Sequence, residues 1–346
     1  MNSTPFRCRW VGAFRVLFPL LLLGAGAVAQ NDSGRDVRFR LRTSVELVLV
    51  PVTVKDAEGN LVTDLKREDF QLFENGEEYP IRYFSIDPFP LSAVILVDGG
   101  VNRSAREAVQ ETLPVTLSAF APDDEFALYI FDTYPRRLLD FTRDPEQLRR
   151  AIGALAGEAP ATSESVAAGP MSAGPRINTL PVGPGAPSPL PQARKPVKSI
   201  HDALFAAGMA LRNRERGRRR VIFIISDGLN SRLNVHSFEE TRDLLLAEDV
   251  SVYAIGVGSA RFAPRTTVLS DYARATGGDL YHPMKKDSLA HAYTRIAEQA
   301  RYQYTLVYAA RPAPGSREYR RIEVRVRRPG VTLRARAGYF AGVPAH

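Results

Sequence analysis

The sequence predicts an α/β fold, a doubly wound and mostly parallel sheet, with a flanking β-sandwich built from the N- and C-terminal segments. Three observations lead there. Between Leu91 and Arg301, β-branched apolar runs alternate with amphipathic stretches, the pattern of strands joined by crossover helices. On either side, 40–88 and 302–340 carry short β-type runs broken by Asn-Gly and Pro-Gly turns. Two central strands, Leu91 to Val97 and Val221 to Ser226, end on Asp98-Gly99-Gly100 and Asp227-Gly228. Ligands of open parallel sheets bind at the carboxyl ends of strands, so both carboxylates fall where one cation or one partner would be met.

Residues 1–29 read as a signal peptide. Arg7, Arg9 and Arg15 make a basic start, Val16 to Leu23 an apolar core, and Ala27-Val28-Ala29 a small-residue cleavage site before Gln30. That core is shorter than the roughly 20 apolar residues a spanning helix needs. The expectation is an exported chain, periplasmic or secreted, with no membrane span after signal cleavage. Cys8, the single cysteine, leaves with the leader, so core burial or a bound ion must replace disulfides. Net charge is +8, and three arginines leave with the leader. The densest basic run, Arg214 to Arg220, precedes an apolar strand and reads as a solvated helix end. Without aromatic residues interleaved among the basic ones, nucleic acid is not the expected partner.

In the N-terminal β segment, Ser44 to Val54 (SVELVLVPVTV) is a strand interrupted by Pro51, and Asp56 to Asn60 is a turn cluster. Phe70 to Glu74 and Ile81 to Ser85 are short strands, with Asn75-Gly76 a hairpin signal. The central unit, 89–301, has strands at Leu91–Val97, Phe126–Phe131, Arg137–Phe141, Val221–Ser226, Val250–Val257 and near Leu280. Its helices are Ser104–Phe120, Pro145–Leu155, Ile200–Leu211, Ser237–Ala247, Thr266–Thr276 and Asp287–Arg301, the last capped by Asp287. The connection from Phe131 to Leu138 is too short to cross over and predicts an antiparallel edge strand. Residues 157–197 are dense in Pro, Gly, Ala and Ser, with PVGPGAPSPLP near the end; a disordered insertion is expected, and a proline-rich ligand is the alternative. The tail returns to strands at Tyr302–Ala309, Arg320–Arg327 and Val331–Ala337. Tyr302, Tyr304 and Tyr308 fall on one strand face, which points to packing. Neither β segment makes a core alone, and together they are expected to form one sandwich with the α/β unit between its halves.

The motifs VPVTVKDAEGNLVTDLKREDFQLFENG, AVILVD, VIFIISDG, YTRIAEQARYQYTLVYAA and RARAGYF are similar to those of the von Willebrand factor type A domain family, and more closely of bacterial secreted proteins related to that domain. The resemblance spans nearly all of the mature chain except the proline-rich insertion. It implies a type A, Rossmann-like domain over 89–301 and a metal ion-dependent adhesion site: Asp-x-Ser-x-Ser after the first strand, a later threonine, and an aspartate after the fourth strand.

Here the two aspartates are Asp98 and Asp227, and the rest of the pattern is degenerate. Gly100 and Asn102 stand at the serine positions, and Lys198 falls at or near the threonine. Glycine offers no side-chain oxygen, Asn102 still has an amide carbonyl, and an ammonium has no lone pair to give. Two readings follow: Mg²⁺ held by Asp98, Asn102 and Asp227, or a salt bridge from Lys198 to one aspartate that replaces the ion's charge. The second is preferred. Ser104 and Ser199 are out-of-pattern hydroxyls near the site. The partner-binding face is expected to comprise Asp98, Gly99, Gly100, Lys198, Ser199, Asp227 and Gly228.

His201, His236, His282 and His291 show no helical ligand spacing. Gly256-Val257-Gly258 does not complete a dinucleotide loop, and no Gly-x-Ser-x-Gly elbow or Walker lysine loop is present. The expected function is therefore non-enzymatic: an exported adhesion or assembly module that binds a protein partner and holds no firm cofactor. An envelope scaffold or regulatory subunit docking through its β domain is the alternative, and a hydrolase using Asp98 and Asp227 as paired acids is a third class.

Overall fold

A computed structural model describes residues 46–155, 176–177, 180–181, 198–215, 217–258, 268–283, 285–312 and 317–342. The signal peptide, most of 157–197 and the side chain of Asp287 lie outside the described residues.

β1 (Glu46–Lys55) buries Val48, Val50, Val52 and Val54 and turns Leu47 and Leu49 outward, the period-two pattern of a half-buried strand. It runs straight through Pro51, where the sequence suggested an interruption. Pairing with the last sheet neighbour begins only at Val52, so Pro51 lies where β1 has a single partner and its missing N–H is tolerated. β2 (Phe70–Glu74) and β3 (Glu77–Tyr79) form the expected hairpin. Asn75 and Gly76 both have positive φ, at 50° and 87°, as a type I′ turn requires. β4 (Ile81–Ser85) then leads into the central unit.

The central unit contains β5 (Leu91–Asp98), α1 (Arg103–Thr112), β6 (Glu125–Phe131), β7 (Pro135–Thr142) and α2 (Pro145–Ala154). A two-residue ladder follows, β8 (Arg176–Ile177) with β9 (Leu180–Pro181). Then come α3 (Ile200–Leu211), β10 (Arg219–Ser226), α4 (Phe238–Ala247), β11 (Val250–Gly256), α5 (Val268–Thr276), β12 (Leu280–Tyr281) and α6 (Lys286–Arg301). The sheet order is β12-β11-β10-β5-β6-β7, parallel except for β7, the antiparallel edge strand that the short connection predicts. β5 is buried along its whole length and feeds two cores by alternation. Ala93, Ile95 and Val97 face α1, α2 and α6, whereas Val94 and Leu96 face α3, α4 and α5.

One helix differs from expectation. Ser104–Phe120 is not continuous: α1 stops at Thr112, and Leu113–Ala119 continues as a 3₁₀ turn with Pro114 at its start, because proline offers no N–H to an α-helical ladder.

The tail supplies β13 (Tyr304–Ala310), β14 (Glu318–Val326), β15 (Thr332–Ala335) and β16 (Gly338–Ala341). Two four-stranded sheets result, β15-β1-β13-β4 and β16-β14-β2-β3, each combining strands from both chain ends. Their inner faces share one core in which Val50, Val52, Leu72, Tyr304, Leu306 and Tyr308 are buried. Within it Glu74 accepts from Arg320 Nη1 (3.1 Å), Tyr339 OH (2.9 Å) and Tyr308 OH. β16 was not expected as a strand; Gly338 permits it, since a Cβ there would lie 2.4 Å from the Arg320 carbonyl oxygen. Among the described residues, no helix is long and apolar enough to cross a membrane.

The basic run is also not a solvated helix end. Arg218 is buried, and its guanidinium donates to Ser92 Oγ and to the carbonyls of Leu91 and Asp123. Arg219 and Arg220 enter β10 and face protein groups, because the sandwich covers the amino-terminal end of the central sheet at this point.

Candidate functional site

β5 and β10 are parallel neighbours in the middle of the sheet, with Val97 opposite Ile225. β6 is added on one side of this pair and β11 on the other, so the chain reverses its winding at their carboxyl ends. Asp98 ends β5, and Asp227 directly follows β10. The topology alone therefore brings together the two aspartates that the sequence singles out.

Lys198 stands between them. Its Nζ is 2.6 Å from Asp227 Oδ2 and 3.2 Å from Asp98 Oδ2, and all three residues are buried. Asp98 is fully engaged: Oδ1 accepts the Gly100 N–H at 2.8 Å, and Oδ2 also accepts the Ser226 hydroxyl at 2.6 Å. Asp227 Oδ1 accepts the Leu229 N–H at 3.0 Å. Burial pushes the Asp98 carboxyl up, against the pull of Lys198 and the Ser226 hydroxyl; the Asp227 charge adds to the rise. An ammonium between two carboxylates supplies one positive charge, half of what a divalent ion would bring, so it balances one of the two acids and bridges both.

The remaining expected site residues have backbone and capping duties. Asn102 is the N-cap of α1; its Oδ1 accepts the Ala105 N–H at 2.9 Å and the Ser104 hydroxyl at 3.1 Å. The Gly99 N–H donates to the Phe131 carbonyl at 2.8 Å, and a Cβ at Gly99 would lie 3.0 Å from Ile130 Cδ1. The Gly228 N–H donates to Ser226 Oγ, and the Ser199 N–H to the Asp132 carbonyl.

This donor set does not fit Mg²⁺. The hard ion wants oxygen ligands in an octahedron, but the Asn102 oxygen is committed to a helix N-terminus, Gly100 offers no side chain, and a second cation already lies between the carboxylates. Among the described residues, no group of three or more His, Cys, Asp or Glu could hold a metal.

Two contributors escape sequence reasoning. Ser226 precedes the Asp-Gly signal and points its hydroxyl across to the neighbouring strand end, a contact visible only once the register of β5 and β10 is known. Arg106 Nη2 donates to the Gly99 carbonyl at 2.7 Å and fastens the Asp98 loop to α1.

The loop after Asp227 is fastened to α3 by side chains. Asn230 Oδ1 accepts the Ile200 N–H, and Asn234 Oδ1 accepts the His201 N–H, each at 3.0 Å, so they satisfy first-turn donors of α3 that Ser199 leaves uncapped. Asp202 accepts the N–H groups of Val235 (2.9 Å) and His236 (2.8 Å). Because Asn230 Oδ1 also accepts from Asn234, its NH₂ faces His201 Nε2 at 2.9 Å, which fixes His201 as the tautomer that donates from Nδ1 to Tyr272 OH. His201 and His236 thus both serve this loop. Leu229, Leu233 and Val235 on it are exposed, as is Tyr134 on the β6–β7 hairpin.

No family model matches the chain, and no curated protein matches it. Solved structures similar to it include a von Willebrand factor type A protein from Catenulispora acidiphila, 11% identical over 86% of this chain and 73% of that chain, with a TM-score of 0.43. Another is the conserved hypothetical protein BatB from Bacteroides thetaiotaomicron, 14% identical over 61% of this chain and 98% of that one, TM-score 0.41. A third is proximal thread matrix protein 1 from the mussel byssus, described with a zinc-occupied MIDAS motif, 17% identical over 66% of this chain and 50% of that one, TM-score 0.43. The architecture of the present chain is an α/β fold, a six-stranded and mostly parallel central sheet flanked by two four-stranded antiparallel sheets.

Proposed function

We propose that this chain is an exported, non-enzymatic protein-binding module whose binding face needs no metal. The observation that carries the reading is Lys198 Nζ, 2.6 and 3.2 Å from the two switch-point carboxylates: a covalently attached cation in the position a metal ion would hold. A built-in ammonium fixes the loops that carry Asp98 and Asp227 whatever the divalent concentration. Around it, Leu229, Leu233, Val235 and Tyr134 are exposed, and the loop carrying three of them is fixed by hydrogen bonds to α3, which lowers the entropy a partner must remove. Catalysis is disfavoured because the Lys198 ammonium occupies the space between the two buried carboxylates and engages both, leaving no room there for a reacting group. Export rests on the leader-like segment 1–29.

The test has two parts. Calorimetric titration of Mg²⁺ or Mn²⁺ into the mature protein is expected to give no saturable heat; a saturable heat that disappears in Asp227→Ala would overturn the metal-free reading. Affinity capture of the native partner from the source organism's envelope fraction is expected to survive chelator and to be lost in a Leu233→Asp, Val235→Asp double variant. Capture that persists in the double variant would move the binding surface elsewhere, to the sandwich of a scaffold protein.

A further inference from the structure

A second site lies at the opposite, amino-terminal end of the central sheet, where the sandwich packs against it. The first residues of β10, the α4–β11 turn and the outer faces of β1 and β13 enclose a cavity of about 170 Å³. Its walls include Leu49, Pro51, Phe89, Val221 and Ala247. Arg218, Arg219 and Arg220 border it, and two of the three have carboxylates: Arg218 is 3.6 Å from Glu125 Oε1, and Arg220 is 3.6 Å from Glu248 Oε2. Asp249 pairs with Arg336.

Arg219 differs. No carboxylate of the described residues lies within ion-pair distance of it. Its Nη1 donates to Gln303 Oε1 at 3.0 Å, its Nη2 to the Gln303 carbonyl at 2.9 Å and to Thr305 Oγ1 at 3.1 Å, all neutral acceptors. Its Nε is buried with no hydrogen-bond partner among the described residues. Phe89 packs under the guanidinium, 5.0 Å from ring centroid to Cζ. Burial brings the guanidinium down to about 10, with only Tyr253 offsetting it. A buried cation without a counter-charge is costly, and an anion delivered to it lowers that cost.

We propose that this cavity binds an organic monocarboxylate, its charge paired with Arg219 and a compact apolar body lying against Leu49, Pro51, Phe89 and Ala247. The apolar walls favour such a ligand over a bare inorganic anion, which would leave them wet. A free small acid and the C-terminal carboxylate of a polypeptide share this chemistry. The proposal is independent of the reading of the Asp98–Lys198–Asp227 face.

The probes are hexanoate, 1-hexanol, inorganic phosphate, and the peptide acetyl-Ala-Ala-Leu as acid and as amide, each titrated into the full mature chain while Tm is followed. Hexanoate or the acid peptide is expected to raise Tm saturably, and whichever acts identifies the source; hexanol and the amide are expected to leave it unchanged. The rise is expected to vanish in Arg219→Gln. Should that variant fail to fold, Leu49→Trp fills the cavity from its half-exposed rim without removing Arg219 and is expected to abolish the rise as well. The proposal is overturned if neither carboxylate acts, if hexanol acts equally, if phosphate alone acts, or if the folded variants respond like the parent.

Discussion

Lys198 shows how one side chain changes the chemistry of a site that its neighbours would otherwise define. Its ammonium bridges two buried carboxylates and offsets one unit of their charge, so removing it leaves more uncompensated negative charge in a region of low dielectric. Lys198→Met is expected to cost about 3–5 kcal/mol of unfolding free energy, the range for breaking one side of a buried pair. Urea denaturation at neutral pH measures it, and a loss under about 1 kcal/mol would show that the carboxylates do not depend on the lysine. Adding Asp98→Asn to Lys198→Met should recover part of the loss. The sequence made a pairing with one aspartate legible, because the resemblance puts lysine at or near the threonine position beside two acidic strand ends; that the ammonium reaches both carboxylates depends on how close β5 and β10 bring them. The contributions of Ser226 and Arg106 were not legible, since each contact depends on register or on a loop path that no local pattern encodes.

At the scale of elements, the loop from Asp227 to Ser237 and the first turn of α3 form one unit, closed by Asn230, Asn234 and Asp202. His201 is its titratable member. Burial holds the imidazole below its ordinary value of 6.5, although Asp202 and Glu239 pull it upward. A depressed folded value means that the folded state binds fewer protons than the unfolded chain inside that window. Stability from this source is therefore full above about pH 6.5 and is lost as pH falls through the folded value. Asp98 tilts the other way: its raised carboxyl favours the folded state at low pH and makes stability decline as pH rises above 3.8. Comparing the parent with His201→Gln isolates the histidine. The parent is expected to lose more unfolding free energy than the variant between pH 7 and pH 5 in urea titrations, and parallel curves would remove His201 from the account. Strands and most helices were legible from periodicity, and the edge strand from a connection too short to cross over. The α1 break at Thr112 was missed because apolar spacing continues through Pro114, where only the lost N–H changes the helix type.

For the whole molecule, the decisive feature is that neither β sheet belongs to one end of the chain. β1 lies between β15 and β13, and β2 between β14 and β3, so every inner face mixes residues separated by more than 200 positions. The sequence indicated this joint sandwich because each β segment alone is too small to bury its apolar face. It did not indicate that Glu74 would be buried in that core with Arg320, Tyr308 and Tyr339, since a lone acid on a short strand reads as solvent-facing. A chain ending at Arg301 would keep every strand and helix of the central unit and lose all four tail strands. Val48, Val50, Val52 and Val54 of β1 would then lose their core. At about 1.5–3 kcal/mol for each buried side chain, those four alone approach the whole stability of an ordinary domain, roughly 5–15 kcal/mol. The truncated chain is therefore expected to release the N-terminal segment as a unit, with amides of Glu46–Ser85 losing hydrogen-exchange protection while those of β5, β10 and β11 keep theirs. Supplying residues 302–346 as a separate polypeptide should restore the protection, because the missing strands pair by register rather than by chain continuity. Persistent protection of Glu46–Ser85 in the truncated chain would mean that the N-terminal segment finds its core within the α/β unit, and the two-ended sandwich would not be its source of order.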